Sequence, residues 1–302
     1  MKIPHLVQYQ GSKRNIASDI FQYFPCTFNR LIEPFCGTAA VSIFTAIENS
    51  ETSFILNDIN GPLVNMLEFA INEPDKLSTQ YEEIWNGQFA NNTNNVDYFY
   101  MVRDKFNINS EPALMLFMLA RVVKGAVRYN SSGEMNQSCD KRRYGTKPST
   151  MRKNIMDISQ ILKNKTNFFN LDYKEVLKMA TQNDLVYMDP PYQGTSKTRD
   201  DRYFQGVDFD DFVISLRELN ERNIDFIVSY DGKTGNKNHG KVLPRELELT
   251  HLFIDAGISS QSTLLGKNER TYESLYLSKN VARKYFLSNN EKNNIKKGRK
   301  IV

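Results

Sequence analysis

The N-terminal part of the chain alternates apolar runs with amphipathic segments, and this alternation constrains the fold more than any other feature. Apolar runs at 29–37 and 53–60 are each followed by a segment with helical spacing, at 38–49 and 62–72. Pro62 stands at the start of the second helical segment, where a proline fits the first turn. Such alternation is typical of a parallel sheet covered by helices. We therefore predict an α/β fold with a doubly wound, mostly parallel sheet.

The alternation stops near residue 75 and resumes near residue 166. The intervening stretch is rich in Tyr, Asn, Met and Arg, with a buried helix predicted at 111–124 and a polar, basic stretch at 128–149. The chain is thus predicted to have a sheet domain made of 1–74 with 166–285, an inserted and mainly helical domain at 75–165, and a basic tail at 286–302.

Composition excludes several classes of protein. The chain has 302 residues, of which 40% are hydrophobic and 25% charged, as in folded globular proteins. It lacks both an apolar run of about 18 residues and a signal-peptide pattern, so we expect a cytoplasmic protein with no membrane partner. The three cysteines are scattered without metal-ligand spacing, and we expect reduced thiols and no metal. The net charge of +4 permits a nucleic-acid partner.

Two predicted strand ends indicate a cofactor site. In an open α/β sheet, ligands bind beyond the carboxyl ends of the strands. Gly37 follows the first strand and allows a tight turn, which lets the backbone approach a ligand. Asp58 ends the second strand about 20 residues later, the placement of an acid that accepts hydrogen bonds from ribose hydroxyls. Together they predict an adenosine-containing cofactor.

A third strand end carries the sequence Asp-Pro-Pro-Tyr at 189–192. Two consecutive prolines remove N–H donors and restrict φ, so the segment is stiff and presents acceptors. An exocyclic amino group has two N–H donors, of which Asp189 can accept one and the Pro190 carbonyl the other. Tyr192 offers a flat face on which a base can stack. The motif predicts a pocket for an amino base extruded from a nucleic acid.

These motifs carry a family resemblance. The sequences EPFCGTAA at 33–40, ILNDIN at 55–60 and LVYMDPPY at 185–192, in this order, resemble those of the Dam-type (alpha-class, D12 class) DNA adenine N6-methyltransferases. The resemblance covers nearly the whole chain. It implies a Rossmann-like methyltransferase fold, S-adenosyl-L-methionine as the methyl donor, and double-stranded DNA as the partner. The inserted domain would be the target-recognition domain.

The resemblance also assigns roles to residues. Segment 7–16 is similar to a family segment in which an aromatic residue and a lysine contact the cofactor, and segment 127–136 resembles the hairpin that enters DNA. The implied cofactor contacts are Tyr9, Lys13, Phe35, Gly37, Asp58, Asp172 and Asp189. The implied catalytic residues are Asp189, Pro190, Pro191 and Tyr192. The predicted DNA contacts are Arg128, Asn130 and Asn136, suited to base edges, and Lys141, Arg142, Arg143 and Lys147, suited to phosphates.

Three positions depart from the family pattern. Tyr9 stands where tryptophan is usual, and Ser12 stands where a second glycine is common. Ala39 replaces a glycine of the cofactor loop, and we expect its methyl to narrow the approach of the backbone to the cofactor. Two further interpretations concern the cleft: Tyr203 would close over the flipped base, and Ser229 with Tyr230 would line the same cleft.

The residues leave alternatives open. A methyltransferase acting on cytosine N4, or on adenine in RNA, presents the same amino geometry, although serine in place of Asp189 is typical of the cytosine enzymes. A catalytically silent DNA-binding regulator would have no need of an intact Asp189, Pro190 and Tyr192. A nicotinamide dehydrogenase would leave the motif at 189–192 unexplained. A monomeric adenine-specific enzyme is therefore expected, either paired with a separate restriction endonuclease or acting as an orphan methylase.

Overall fold

The computed structural model describes most of the chain, namely residues 3–90, 94–122, 125, 127–191, 207–234, 237–239, 241–258 and 270–287. One mostly parallel sheet with helices on both faces organises these residues, so the predicted α/β fold is confirmed. Tyr192 and Tyr203, to which the sequence assigns roles at the target base, lie outside the described residues. No described helix has both the length and the apolar character needed to cross a bilayer.

The strands include the predicted apolar runs that begin at 29 and 53 and the run that precedes Asp189. They are β1 (Arg30–Glu33), β2 (Ser53–Asn57), β3 (Thr166–Phe169), β4 (Asp184–Met188), β5 (Asp225–Thr234), β6 (Lys237–His239), β7 (Thr250–Ile258) and β8 (Arg270–Leu277). Their order is β3-β2-β1-β4-β5-β8-β7, with β6 paired to β5. Strands β1 to β5 pair in parallel, and β8 is antiparallel to both β5 and β7.

The order of the strands reverses beside β1. The chain passes from β1 outward to β2 and β3, and then returns to place β4 on the other side of β1. The loops that follow β1 and β4 therefore leave in different directions, and a crevice opens between them. Sheets of this kind bind their ligands at such a reversal.

The helices cover both faces of the sheet. They are α1 (Ala17–Phe21), α2 (Ala40–Glu48), α3 (Gly61–Asn72), α4 (Pro74–Gly87), α5 (Asn95–Asn109), α6 (Pro112–Arg121), α7 (Pro148–Leu162), α8 (Tyr173–Lys178), α9 (Phe209–Glu221) and a helix at 279–287. Pro62 lies in the first turn of α3, and the Asn60 side chain caps that helix. The predicted helix at 111–124 is α6, which ends at Arg121 because Val122 is extended.

Strand side chains alternate between two hydrophobic clusters. In β4, Leu185 and Tyr187 join the cluster beneath α2 to α7, whereas Val186 and Met188 join the cluster beneath α8 and α9. Such alternation is expected of a strand buried on both faces. Tyr81 of α4, like α5 to α7, belongs to the first cluster, so the helices of the 75–165 segment share a core with the sheet. The proposed boundaries of the catalytic and inserted domains remain predictions.

Candidate active site

A cavity of about 310 Å³ opens at the carboxyl ends of β1, β2 and β4, where the strand order reverses. Four chain segments form much of its wall: 9–13, 33–38, 57–60 and 189–191. It gathers all seven residues to which the sequence assigns a cofactor contact, together with Pro190 and Pro191 of the catalytic motif. The lining residues with predicted roles are Tyr9, Lys13, Phe35, Gly37, Asp58, Asp172, Asp189, Pro190 and Pro191.

Asp58 fixes the loop that follows β1. Its Oδ2 accepts a hydrogen bond from Gly37 N at 2.9 Å, and its Oδ1 accepts one from Asn60 N at 2.9 Å. Burial raises the pKa of Asp58, and these two backbone donors partly oppose that rise. Each oxygen still has a lone pair that a ribose hydroxyl can use. The carboxylate therefore shapes the cofactor loop and remains able to accept further hydrogen bonds.

The loop itself makes a tight turn in the left-handed region. Gly37 has φ +50° and Ala39 has φ +55°. A Cβ at Gly37 would lie 3.6 Å from the Tyr9 ring, so this aromatic ring packs against the bare backbone of the loop. Ala39 is fully buried and is not among the described residues that line the cavity. The expectation that its methyl narrows the approach to the cofactor finds no support in this placement.

Asp189 and Lys13 form a bidentate ion pair on the cavity wall. The ammonium Nζ lies 2.7 Å from Asp189 Oδ1 and 2.8 Å from Oδ2, and it also donates to the carbonyl of Gly11 at 3.2 Å. Burial raises the pKa of Asp189 to about 6, while the charge of Lys13 opposes the rise and that of Glu273 adds to it. Asp189 thus follows β4 directly, as predicted, but its carboxylate is held by a residue near the N-terminus.

Glu33 is a cavity residue to which the sequence assigned no role. It is the last residue of β1 and is only 3% exposed, and its Oε1 accepts a hydrogen bond from Ser42 N at 2.7 Å. Burial raises the pKa of Glu33 to about 8, the charge of Asp189 adds to the rise, and the hydrogen bonds from Ser42 oppose it. An acid that directly follows Leu31 and Ile32 at a predicted strand end was the available signal. Near pH 7 this side chain is largely protonated.

Tyr187 links the cavity to the neighbouring strand. Its hydroxyl lies 2.8 Å from Ser229 Oγ, and both residues are fully buried. Tyr230 instead stacks on Phe212 in the cluster beneath α8 and α9. Neither Ser229 nor Tyr230 is among the described residues that line the cavity. The interpretation that these two residues line the cleft is therefore not supported, because β5 directs both side chains into the core.

The N-termini of α8 and α9 contribute to the cavity wall. Asp172 caps α8 by accepting from Lys174 N at 2.9 Å, and Asp208 caps α9 by accepting from the backbone of Asp210 and Asp211. Both caps line the cavity. The side chain of Lys174 reaches across to Asp211 at 2.6 Å, which joins the two helices at this end.

The residues predicted to contact DNA lie outside the cavity. Arg128, Asn136, Lys141, Arg142, Arg143 and Lys147 are exposed, which suits contact with a duplex. Arg142 and Arg143 both lie beside Asp140, with N–O distances of 3.7 and 3.4 Å. Asn130 is engaged within the hairpin: its Oδ1 accepts from the backbone of Ser132 and Glu134, and its Nδ2 donates to the Glu134 carboxylate. These bonds compete with any contact between Asn130 and a base.

Histidines and metal ligands take no part in the described site. His5 contacts Arg14 at 2.8 Å, and His251 stacks on Tyr276 with ring centroids 4.2 Å apart. Neither of these two histidines is among the residues lining the cavity. Within the described ranges, no group of three or more His, Cys, Asp or Glu side chains is arranged to hold a metal ion.

The sequence of the chain is similar to those of known proteins. Residues 9–264 match the family model of the D12 class N6 adenine-specific DNA methyltransferases. A DNA adenine methylase of Serratia marcescens is 29% identical over 196 residues, which is 64% of this chain and 68% of that protein. The type II methyltransferase M.MjaIII of Methanocaldococcus jannaschii is 26% identical, over 76% of this chain and 84% of that protein.

A phage protein extends the comparison. The DNA N-6-adenine-methyltransferase of Escherichia phage P1 is 29% identical over 68% of this chain, although the match spans only 26% of the phage protein. The family model covers the motifs at 33–40, 55–60 and 189–192 and most of the described cavity wall. The chain therefore belongs to the D12 class N6 adenine-specific DNA methyltransferase family.

Proposed function

We propose that this protein transfers a methyl group from S-adenosyl-L-methionine to the N6 amino group of an adenine flipped out of duplex DNA. The observation that carries the proposal is the position of Asp189. It follows β4 directly, is succeeded by two prolines, and lines the same cavity as Asp58 and the Gly37 loop. The acceptors for an amino group therefore adjoin the residues suited to an adenosine-containing cofactor.

The charge of the cavity suits S-adenosyl-L-methionine. Its described wall includes two lysines, Lys13 and Lys174, and a larger set of acids. These acids are Asp58, Asp172, Asp189, Asp208 and Asp211, besides Glu33, which is largely protonated near pH 7. The cofactor carries one carboxylate against an ammonium and a sulfonium group, and a wall with more carboxylates than lysines favours this net positive charge. When bound, the cofactor supplies an electrophilic methyl group.

The cofactor contacts follow from the placement of the side chains. Asp58 has the acceptor capacity for ribose hydroxyls, and Asp172 lines the same cavity where α8 begins. Phe35 packs against Tyr173, with ring centroids 5.1 Å apart, and provides an apolar surface for a purine. Tyr9 covers the Gly37 turn. We propose these residues, with Lys13 and Asp189, as the cofactor contacts.

The residues at 189–190 hold the nucleophile. The lone pair of an adenine amino group is delocalised into the ring, so the nitrogen attacks poorly unless it is made pyramidal. The Asp189 carboxylate and the Pro190 carbonyl each accept one N–H, which aims the lone pair at the methyl group. The methylated nitrogen is strongly acidic and loses its proton without a dedicated base. Pro191 stiffens the motif, and Tyr192 is proposed to stack on the base.

The inserted domain is proposed to flip the target base out of the duplex. Flipping a nucleotide costs a few kcal/mol of unstacking, which protein–DNA contacts must offset. Arg128 and Asn136 have exposed side chains suited to base edges. Asn130 is also proposed to contact a base. Its hydrogen bonds to Ser132 and Glu134 must first break. Arg142, Arg143 and Lys147 are proposed to bind phosphates.

The proposed setting is the cytoplasm of a prokaryotic or phage-infected cell, where the protein acts as a monomer on double-stranded DNA. It serves either a restriction-modification pair, with a separate restriction endonuclease, or an orphan methylation system. A restriction endonuclease that cleaves the unmethylated form of the same site would establish the first of these roles.

The test is transfer of labelled methyl from S-adenosyl-L-methionine to unmethylated duplex DNA, followed by sequencing of the modified positions. Asp189→Ala is expected to abolish transfer while cofactor binding largely survives, because the amino group loses an acceptor. Asp157→Asn is the matched control, since Asp157 pairs with Lys153 on the exposed face of α7 and does not line the cavity. Undiminished transfer by Asp189→Ala would contradict the mechanism. Methylation of cytosine, or of RNA alone, would contradict the substrate.

A further inference from the structure

The predicted recognition hairpin at 127–136 contributes Tyr129 to the wall of the cavity. This side chain is 7% exposed, and its hydroxyl donates a hydrogen bond to Asn60 Oδ1 at 3.1 Å. Both residues line the cavity. Tyr129 also pairs with Met135 across the hairpin. One side chain thus belongs both to the element predicted to enter DNA and to the wall of the cofactor site.

Asn60 connects this hydroxyl to the cofactor loop. Its side chain caps α3, while its backbone N–H donates to Asp58 Oδ1 at 2.9 Å. The other oxygen of Asp58 accepts from Gly37 N at 2.9 Å. A path of hydrogen bonds and one short chain segment therefore runs from Tyr129 through Asn60 and Asp58 to Gly37. Burial raises the pKa of Tyr129 to about 12, so its hydroxyl remains a donor at neutral pH.

A second contact joins Gly125, which precedes the hairpin, to the N-terminal segment. The backbone at Gly125 lies so close to the N-terminal segment that a Cβ there would be 1.8 Å from the carbonyl oxygen of Gln8. The carbonyl of Gly125 also accepts from Gln10 N at 3.4 Å. Residues 9–13 line the cavity. Gly125, three residues before Arg128, therefore packs against the segment that leads into this part of the wall.

We propose that Tyr129 is a positioning residue that couples the binding of DNA by the hairpin to the binding of the cofactor. This inference rests on the proposed function. DNA contacts at Arg128 hold the adjacent Tyr129 in place, and Tyr129 in turn holds Asn60 and the carboxylate of Asp58 in the geometry that receives the cofactor. Because coupling between two ligands is reciprocal, each ligand strengthens the binding of the other.

The test compares the affinity of the non-reactive cofactor product, S-adenosyl-L-homocysteine, with and without saturating unmethylated duplex that contains the sequenced target site. The coupling factor is the dissociation constant measured without DNA divided by that measured with DNA. In the unchanged protein it should exceed one, and in Tyr129→Phe it should fall about three- to tenfold, the range for one buried hydrogen bond. If the substitution only disturbed the structure of the cofactor site, the affinity for S-adenosyl-L-homocysteine would fall equally with and without duplex, and the coupling factor would not change.

Two further variants test whether the hydrogen bond between Tyr129 and Asn60 carries the coupling. Asn60→Ser keeps a helix-capping hydroxyl but is too short to reach Tyr129, so its coupling factor should fall as in Tyr129→Phe. The coupling factor of the double variant should be no lower than that of either single variant, because both substitutions remove the same hydrogen bond. Tyr98→Phe is the control, since the Tyr98 hydroxyl bonds to the carbonyl of Ile84 away from the cavity.

The outcomes separate this inference from the proposed function. Methyl transfer by the unchanged protein to the same duplex is measured first, and its absence would contradict the proposed function and the inference together. Active protein whose coupling factor equals one, or is unchanged in both Tyr129→Phe and Asn60→Ser, would overturn the inference alone. Additive losses in the double variant would also overturn it.

Discussion

The ammonium group of Lys13 spans both carboxylate oxygens of Asp189, at 2.7 and 2.8 Å, although 176 positions separate the two residues in the chain. The lysine side chain is 5% exposed, whereas that of Asp189, which lines the cavity, is 19% exposed. Lys13 orients the carboxylate, and its charge lowers the pKa of Asp189. The proposed mechanism requires that one acceptor site on this carboxylate face the target amino group. The acid of the motif at 189–192 therefore depends on a residue from the N-terminal segment.

Removal of this lysine should move the pH dependence of methyl transfer. The pKa of Asp189 is about 6, so transfer should decline as pH falls through this value and the carboxylate becomes protonated. Lys13→Met removes the charge that lowers this pKa, and the acidic limb of the kcat/KM profile should move up by about one to three pH units. Single-turnover rates across the pH range measure the shift.

Lys178→Met provides the control for this shift, because Lys178 is an exposed residue of α8 that pairs with Glu175. Its acidic limb should coincide with that of the unchanged protein. An unmoved limb in Lys13→Met would show that Lys13 does not set the ionisation of Asp189.

Glu33 should make the protein less stable as pH rises. Its pKa is about 8 in the folded protein against an ordinary value of 4.5, so between these values only the folded state binds the proton. The free energy of unfolding therefore falls with rising pH in this interval. Glu33→Gln removes the titration while keeping an acceptor for Ser42 N.

Urea unfolding of both proteins between about pH 5 and about pH 8 measures the effect. The free energy of unfolding of the unchanged protein, minus that of Glu33→Gln, should decrease by up to about 1.4 kcal/mol per pH unit. A difference that stays constant with pH would mean that Glu33 is ionised throughout.

Ala39→Gly should leave cofactor affinity within about twofold, because Ala39 is fully buried and is not among the described residues of the cavity wall. The free energy of unfolding should change by less than about 1 kcal/mol. Relief of the left-handed backbone gains about 1 to 2 kcal/mol. Loss of a buried methyl costs about 0.8 kcal/mol, and the greater freedom of glycine in the unfolded chain costs about 0.4 to 1 kcal/mol. Calorimetric titration and urea unfolding test both expectations, and a tenfold gain in affinity would show that the methyl restricts the cofactor.

Arg128 and Lys147 should differ in how they contribute to DNA binding. Lys147→Ala should weaken binding to all duplexes and reduce the slope of log affinity against log salt by about 0.9, as for one phosphate contact. Arg128→Ala should weaken the free energy of binding to the target site by about 1 to 3 kcal/mol, and that of binding to unrelated DNA by less. Binding isotherms at several salt concentrations measure both, with Lys178→Ala as control. If Arg128→Ala weakened the binding free energy equally on target and unrelated DNA, recognition of a base by Arg128 would be contradicted.

Local patterns accounted for most of the fold and much of the site. Apolar runs predicted strands β1, β2 and β4, and helical spacing with Pro62 predicted α3, because these signals depend on residues near one another in the chain. The strand-end rule then brought Gly37, Asp58 and Asp189 to one edge of a parallel sheet, where they line one cavity.

The same rule was insufficient at β5. Ser229 and Tyr230 also lie in a strand that approaches this edge, yet their side chains are buried in the core. Alternation along a strand shows that neighbours face opposite ways, but it does not tell which residues lie beyond the packed layer. Strand length and the position of covering helices decide that, and both depend on tertiary packing.

The sequence by itself determined the α/β alternation, the acceptors at 189–190 and the acid at Asp58, because backbone restriction and side-chain chemistry are properties of short segments. Only the tertiary structure decided which partners these groups have. The contacts of Lys13 with Asp189 and of Tyr129 with Asn60 join residues 176 and 69 positions apart. Such contacts depend on strand order and on the packing of helices against the sheet, which bring distant segments into a low-dielectric wall where their charges and hydrogen bonds act on one another.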